Sequence, residues 1–128
     1  MIKKLIMTFC LVIHSSYIFA ETCFETDLKT YKYEQEIQPR WELSVISKDR
    51  TYFHSAPKTD CKMDADYIIQ NDHVIGYSLY TDQTQQKWVY VMYANTQHDS
   101  DDSDDLIEGW VKLDDLKKVD GDNQLIKQ

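Results

Sequence analysis

The stretch Trp88-Val89-Tyr90-Val91-Met92-Tyr93 decides how the rest of the chain is read. It is dense in aromatic and β-branched residues, the composition of a strand. Alternate residues of a strand face opposite sides. Trp88, Tyr90 and Met92 therefore share one face, and Val89, Val91 and Tyr93 the other. Both faces cannot be core in a domain this small. We expect Val89 and Val91 to point inward, and the aromatic face to be covered in part by the N-terminal segment.

Working outward, the same texture recurs. On the C-terminal side a polar loop, 95–105, leads to a strand at Ile107–Val111, a single helical turn at Leu113–Leu116 and a polar tail, 120–128. On the N-terminal side lie a polar hairpin loop at Thr81–Gln86, a strand at Val74–Tyr80, an Asn71-Asp72 turn and a short strand at Tyr67-Ile68-Ile69. Before these come a loop at Ala56–Asp60, then strands at Arg50–Phe53 and Ser44–Ser47. The pattern predicts an all-β fold, a small barrel or sandwich of five to six short strands with no long amphipathic helix. Residues 21–43 read as an N-terminal extension packing on the domain. Within it Leu28 and Tyr31 can share a helix face, and Pro39 ends that segment.

The first twenty residues read as a secretory signal. Lys3 and Lys4 precede the apolar run Leu5–Ile13, which is too short to span a bilayer, and Ile18-Phe19-Ala20 offers a cleavage site before Glu21. An uncleaved N-terminal anchor is the alternative. Removing residues 1–20 leaves 108 residues with 12 basic and 22 acidic side chains, a net charge of −10. Such acidity argues against nucleic acid, whose phosphates draw Lys and Arg, and against an anionic membrane surface. Of the three cysteines Cys10 leaves with the signal. Cys23 and Cys61 then form the one intramolecular pair available in an oxidising compartment. Two free thiols or an intermolecular bridge are the alternatives. Closing a loop of this length contributes about 4 kcal/mol on the chain-entropy model.

Signs of catalysis are few. His54, His73 and His98 show no metal-ligand spacing, and three glycines are too few for a phosphate-cradling loop. A Cys61–His nucleophile pair is explained away by the disulfide. The run Asp99–Asp105 places oxygen ligands at alternate positions, as calcium prefers. Counted from Asp99, however, Asp104 stands where an EF-hand loop needs Gly and Trp110 where it needs Glu. A solvated, self-repelling loop is the simpler reading. No cofactor or metal is expected.

Four segments resemble bacterial SH3 (SH3b) domains. Arg50-Thr51-Tyr52-Phe53-His54-Ser55-Ala56-Pro57 resembles the family's first strand and Pro-containing loop. Ile69-Gln70-Asn71-Asp72-His73-Val74 resembles its Gly-Asp-x-Val turn, with Asn71 in place of Gly. Trp88-Val89-Tyr90-Val91 resembles its Trp-x-x-Val strand. Glu108-Gly109-Trp110-Val111 with Leu116 resembles its closing Gly-Trp-Val element, the most specific of the four. Together they span residues 44–119. Cys61-Lys62 after Tyr52-Phe53-His54-Ser55-Ala56-Pro57 is similar to a periplasmic subset.

The resemblance implies an SH3-like barrel and a binding role without chemistry, in a periplasmic or secreted protein. Such barrels bind in the groove between their long loops. Tyr52, His54, Tyr80, Trp88 and Tyr90 are the candidate ligand contacts, with Gly109 and Trp110 structural. The partner expected is an envelope protein, of basic charge given the acidity, as for an inhibitor or immunity protein. Peptidoglycan is the alternative ligand, although the wall's own carboxylates sit badly with a net charge of −10. The signal reading has a direct check: mass spectrometry of the exported protein should find its N-terminus within two residues of Glu21, and an intact Met1 refutes it.

Overall fold

A computed structural model describes residues 21–94 and 106–119. The signal-like segment, the acidic run 99–105 and the polar tail lie outside the described residues. Seven strands form one antiparallel sheet: β1 (Gln35–Val45), β2 (Thr51–His54), β3 (Lys62–Ile68), β4 (His73–Thr81), β5 (Lys87–Ala94), β6 (Leu106–Lys112) and β7 (Leu116–Lys118). Their order is β3-β2-β6-β5-β4-β1-β7, and the sheet curls into a half-barrel. Among the described residues the fold is all-β, with a single short helix, α1 (Cys23–Thr30).

Two strands go beyond the sequence expectation. β1 begins at Gln35, inside the segment read as an extension, and pairs with β4 before and after a break in register. Between Glu36 and Trp41 the residues Ile37, Gln38, Pro39 and Arg40 bulge opposite Tyr77. Pro39 is tolerated because a bulge asks for no ladder donor. Ile37 is turned into the core there. Polar residues at 35, 36 and 38 hide this strand from a hydrophobic pattern, since only its partner β4 defines it. β7 is likewise defined by its pairing with Leu43–Val45 of β1, and it follows a 3-10 turn at Leu113–Asp115.

The core lies inside the curl: Ile37, Leu43 and Val45 of β1, Phe53 of β2, Ile68 of β3, Val74 of β4, Val89 and Val91 of β5, Val111 of β6 and Leu116 of β7. Each strand places its apolar alternates there, as a one-sided sheet requires. The β3–β4 turn runs through Asn71 at φ 74°, a left-handed position that Asn tolerates better than most residues. The Asp72 carboxylate accepts the Ile69 N–H at 2.8 Å and closes it.

Two glycines sit where neighbours come close. A Cβ on Gly76 would lie 3.0 Å from Leu43 Cδ1 and 3.2 Å from Val89 Cγ2, both ends of movable side chains. A Cβ on Gly109 would lie 3.0 Å from the backbone oxygen of His54 and 3.2 Å from Met63 Cε. Backbone oxygen cannot turn aside, and β2 meets β6 through the His54–Trp110 pairing at this very point. Gly109→Ala should therefore cost about 1–3 kcal/mol, the range for overpacking a core, measured by chemical denaturation. Gly76→Ala should cost less. The reverse order would mean that β6 yields more readily than two core side chains.

Candidate functional site

The face of β5 opposite the core carries Trp88, Tyr90 and Met92, and its cover changes along the strand. Trp88 is 1% exposed. The His54 ring meets it edge-on at 4.9 Å. Its indole N–H donates to Asp82 Oδ2 at 3.1 Å. Asp82 also organises the β4–β5 hairpin, for its Oδ1 accepts the N–H and hydroxyl of Thr84 at 2.8 and 2.6 Å and the Gln86 N–H at 3.0 Å. Burial alone would raise the Asp82 carboxyl. The bonds from Thr84, Trp88 and Gln86 outweigh it and hold the carboxyl below its ordinary value. His54 is buried too, with Nδ1 donating to the Trp110 carbonyl at 3.2 Å. Burial, helped by the charges of Lys112 and Lys62, pushes its pKa down against its backbone hydrogen bonds.

Trp110 sits beside this pair on β6, also 1% exposed. The rings of Tyr90 and Tyr80 meet it edge-on at 5.4 and 6.4 Å. Its indole N–H donates to Asp27 Oδ1 of α1 at 3.0 Å. That bond attaches α1 to the sheet, and Cys23 fastens the other end of the helix through a disulfide to Cys61. A capping box starts α1: the Thr22 hydroxyl accepts the Glu25 N–H, and the Glu25 carboxylate accepts the Thr22 N–H, each at 3.2 Å. This local fixing matters because α1 buries only Thr30.

Where α1 stops covering the sheet, a cleft of about 500 Å³ opens. Its floor is Tyr77 of β4, Tyr90 and Met92 of β5, and Trp110 of β6. Leu28 and Tyr31 form the opposite wall. Three carboxylates line it: Asp27 from α1, Glu34 from the segment before β1, and Glu108 from β6. Their electrostatic effect is visible in their neighbours. The Tyr90 hydroxyl is pushed up to about 12, first by burial, then by the charge of Glu108 and a hydrogen bond to it, with Asp27 and Glu34 adding. Burial and the charge of Asp27 raise the Glu34 carboxyl. Among the described residues no ion pair involves Asp27, Glu34 or Glu108, and no set of three His, Cys, Asp or Glu side chains is arranged to hold a metal ion.

The five candidate contacts do not converge. His54 and Trp88 are withdrawn from the surface, because Asp82 satisfies the buried indole and β6 covers the imidazole. Tyr52 lies towards the edge of the sheet, its ring 5.7 Å from that of Tyr67 with Lys62 Nζ 4.7 Å above it. Tyr80 lines a separate hollow of about 540 Å³ between α1, the Pro57–Asp60 loop and the β4–β5 hairpin. Only Tyr90 reaches the acidic cleft. Sequence reasoning missed Asp27, Glu34, Glu108 and Tyr77. The Thr22-x-x-Glu25 box was the signal that would have placed α1, and with it Asp27.

No protein-family model, curated protein or solved structure matches this chain. The chemistry of the cleft is therefore read from its own residues.

His54 provides a check on this packing. The unfolded chain, with its imidazole near 6.5, takes up the proton first as pH drops. The stability contributed by neutral His54 is therefore complete above about pH 6.5 and is lost as pH falls towards the lower folded value. Between about pH 7 and 5 the melting temperature of wild type should fall more steeply than that of His54→Phe. Parallel slopes would show that the ring takes up its proton within the fold without penalty.

Proposed function

We propose that this protein is an exported, non-enzymatic binding module of the bacterial cell envelope, and that its partner is a protein. The observation that carries this is an exposed apolar stripe along α1 and its C-cap residue Tyr31. Phe24, Leu28 and Tyr31 follow at helical spacing, 72%, 55% and 77% exposed, with Tyr33 close behind. A lone exposed apolar residue is ordinary, but a contiguous patch beside a cleft marks a contact surface. The disulfide fits an oxidising, exported location, in keeping with the signal-like N-terminus. The resemblance to SH3b domains, which bind rather than catalyse, supports the same reading. Among the described residues no helix is long and apolar enough to cross a membrane.

The net charge of −10 after residue 20 favours a basic partner by steering encounter, as an inhibitor or immunity protein against a cationic wall-degrading enzyme would need. Peptidoglycan is the weaker reading, since the carboxylates of the cleft would face those of the wall. Pull-down from envelope extract with wild type and the Leu28→Ser/Tyr31→Ser double variant, beside co-sedimentation with purified sacculi, separates the two. Wild type should retain a protein that the variant loses, at equal melting temperatures, and neither should sediment with sacculi. Sedimentation of wild type alone, or capture indifferent to the stripe, overturns the proposal.

A further inference from the structure

We propose that the acidic cleft between α1 and strands β4–β6 takes the guanidinium group of an arginine side chain presented by the partner. The inference rests on the protein-binding reading above and names the chemistry of its contact.

The cleft combines two features that seldom coincide on a bare surface. One is unbalanced negative charge. Asp27, Glu34 and Glu108 reach it from three separate elements, and the ion pairs of the described residues lie elsewhere: Lys29 with Glu21, Lys62 with Asp64, and His73 with Glu42. The other is an aromatic lining. Tyr77 and Tyr90 present ring systems whose negative faces attract a cation, beside the buried edge of Trp110. A metal ion is a poor match, because the carboxylates are not gathered to hold one. A hydrocarbon would leave the carboxylates desolvated without a partner. A side chain that is flat, cationic and rich in N–H donors satisfies both features.

Guanidinium fits better than ammonium. It stacks on aromatic faces, is less strongly hydrated, and can donate to two carboxylates at once. A guanidinium of the chain itself stands at the cleft's border. In the adjoining hollow, which shares Tyr31, Glu34 and Tyr77 with the cleft, Arg40 Cζ lies 4.1 Å from the centroid of the Tyr77 ring. Arg40 forms no ion pair among the described residues and does not line the cleft itself. Burial first, and then the charge of the neighbouring carboxylates, raises the Tyr90 hydroxyl and the Glu34 carboxyl. A volume of about 500 Å³ holds one arginine side chain and part of its flanking residues. The apolar stripe of Leu28 and Tyr31 on the rim would receive the rest of the partner segment.

The test uses the purified, disulfide-bonded protein, labelled with nitrogen-15, and three probes: N-acetyl-arginine methylamide and its lysine and norleucine counterparts. With the arginine probe the Trp110 indole N–H and the backbone amides of Tyr90 and Glu108 should shift together and saturate. The lysine probe should bind more weakly and the norleucine probe not at all. Glu108 is exposed, so Glu108→Gln leaves the fold intact. It should weaken arginine binding about two- to five-fold, as loss of a partly exposed ion pair does. Absence of saturable shifts at these positions, lysine binding as tight as arginine, or indifference to Glu108→Gln each overturns the proposal. The pull-down with the Leu28→Ser/Tyr31→Ser variant reads the stripe alone, so a cleft that rejects arginine leaves the protein-binding reading standing.

Discussion

An eight-residue helix is too short to persist by itself in water, because nucleating it fixes several residues for few hydrogen bonds. α1 nevertheless lies against the sheet, and it does so on three fixings. The Cys23–Cys61 bond holds its first residue. The Thr22–Glu25 box satisfies its opening N–H groups. The Trp110 indole holds Asp27 one turn further on. Burial contributes little, since only Thr30 is enclosed. The wall of the cleft is thus held by a covalent bond and a few directed hydrogen bonds rather than by an apolar seam. That arrangement leaves the apolar side chains of the helix free to face outward, which a helix held by its own hydrophobic stripe could not do.

Trp110 is the point at which these fixings meet the sheet. Its carbonyl accepts from His54, its indole donates to Asp27, and its ring packs against Tyr80 and Tyr90. The glycine before it lets β6 pass close to the His54 carbonyl, where a Cβ would lie 3.0 Å from that oxygen. One short segment therefore joins strands β2, β5 and β6 to the helix. The neighbouring Trp88 uses the same device with other partners: Asp82 takes its N–H and His54 covers its ring. Each buried indole is given a carboxylate, in line with the cost of leaving such a donor unpaired.

The all-β class was readable because period-two alternation exposes the inward residues of β4 and β5, and Val89 and Val91 do face the core. Asn71 reads as a turn residue for a local reason, and it adopts the positive φ its side chain permits. What escaped the sequence depends on partners distant in the chain. Gln35 and Glu36 are strand only because β4 lies alongside. Trp88 looked like a surface aromatic because its burial requires a carboxylate six residues earlier and an imidazole from another strand. Asp27 and Trp110, 83 residues apart, meet only in the fold. Asp27, Glu34 and Glu108 each look like a solvated surface acid, and no spacing rule links them.

The gradient along β5 explains why the cleft lies where it does. At Trp88 the face away from the core is closed by the β4–β5 hairpin and by His54. At Tyr90 the cover is partial, from Trp110 and the carboxylates around it, and by Met92 the strand lines the open cleft. Closing this end with apolar residues would have hidden Tyr77, Tyr90 and Met92 and enlarged the core. The chain instead sets carboxylates around it, at a cost in desolvation and mutual repulsion that the raised Glu34 and Tyr90 groups record. Repulsion of that kind is relieved when a cation arrives. If the cleft takes the cation proposed above, that repulsion opposes the empty state more than the occupied one.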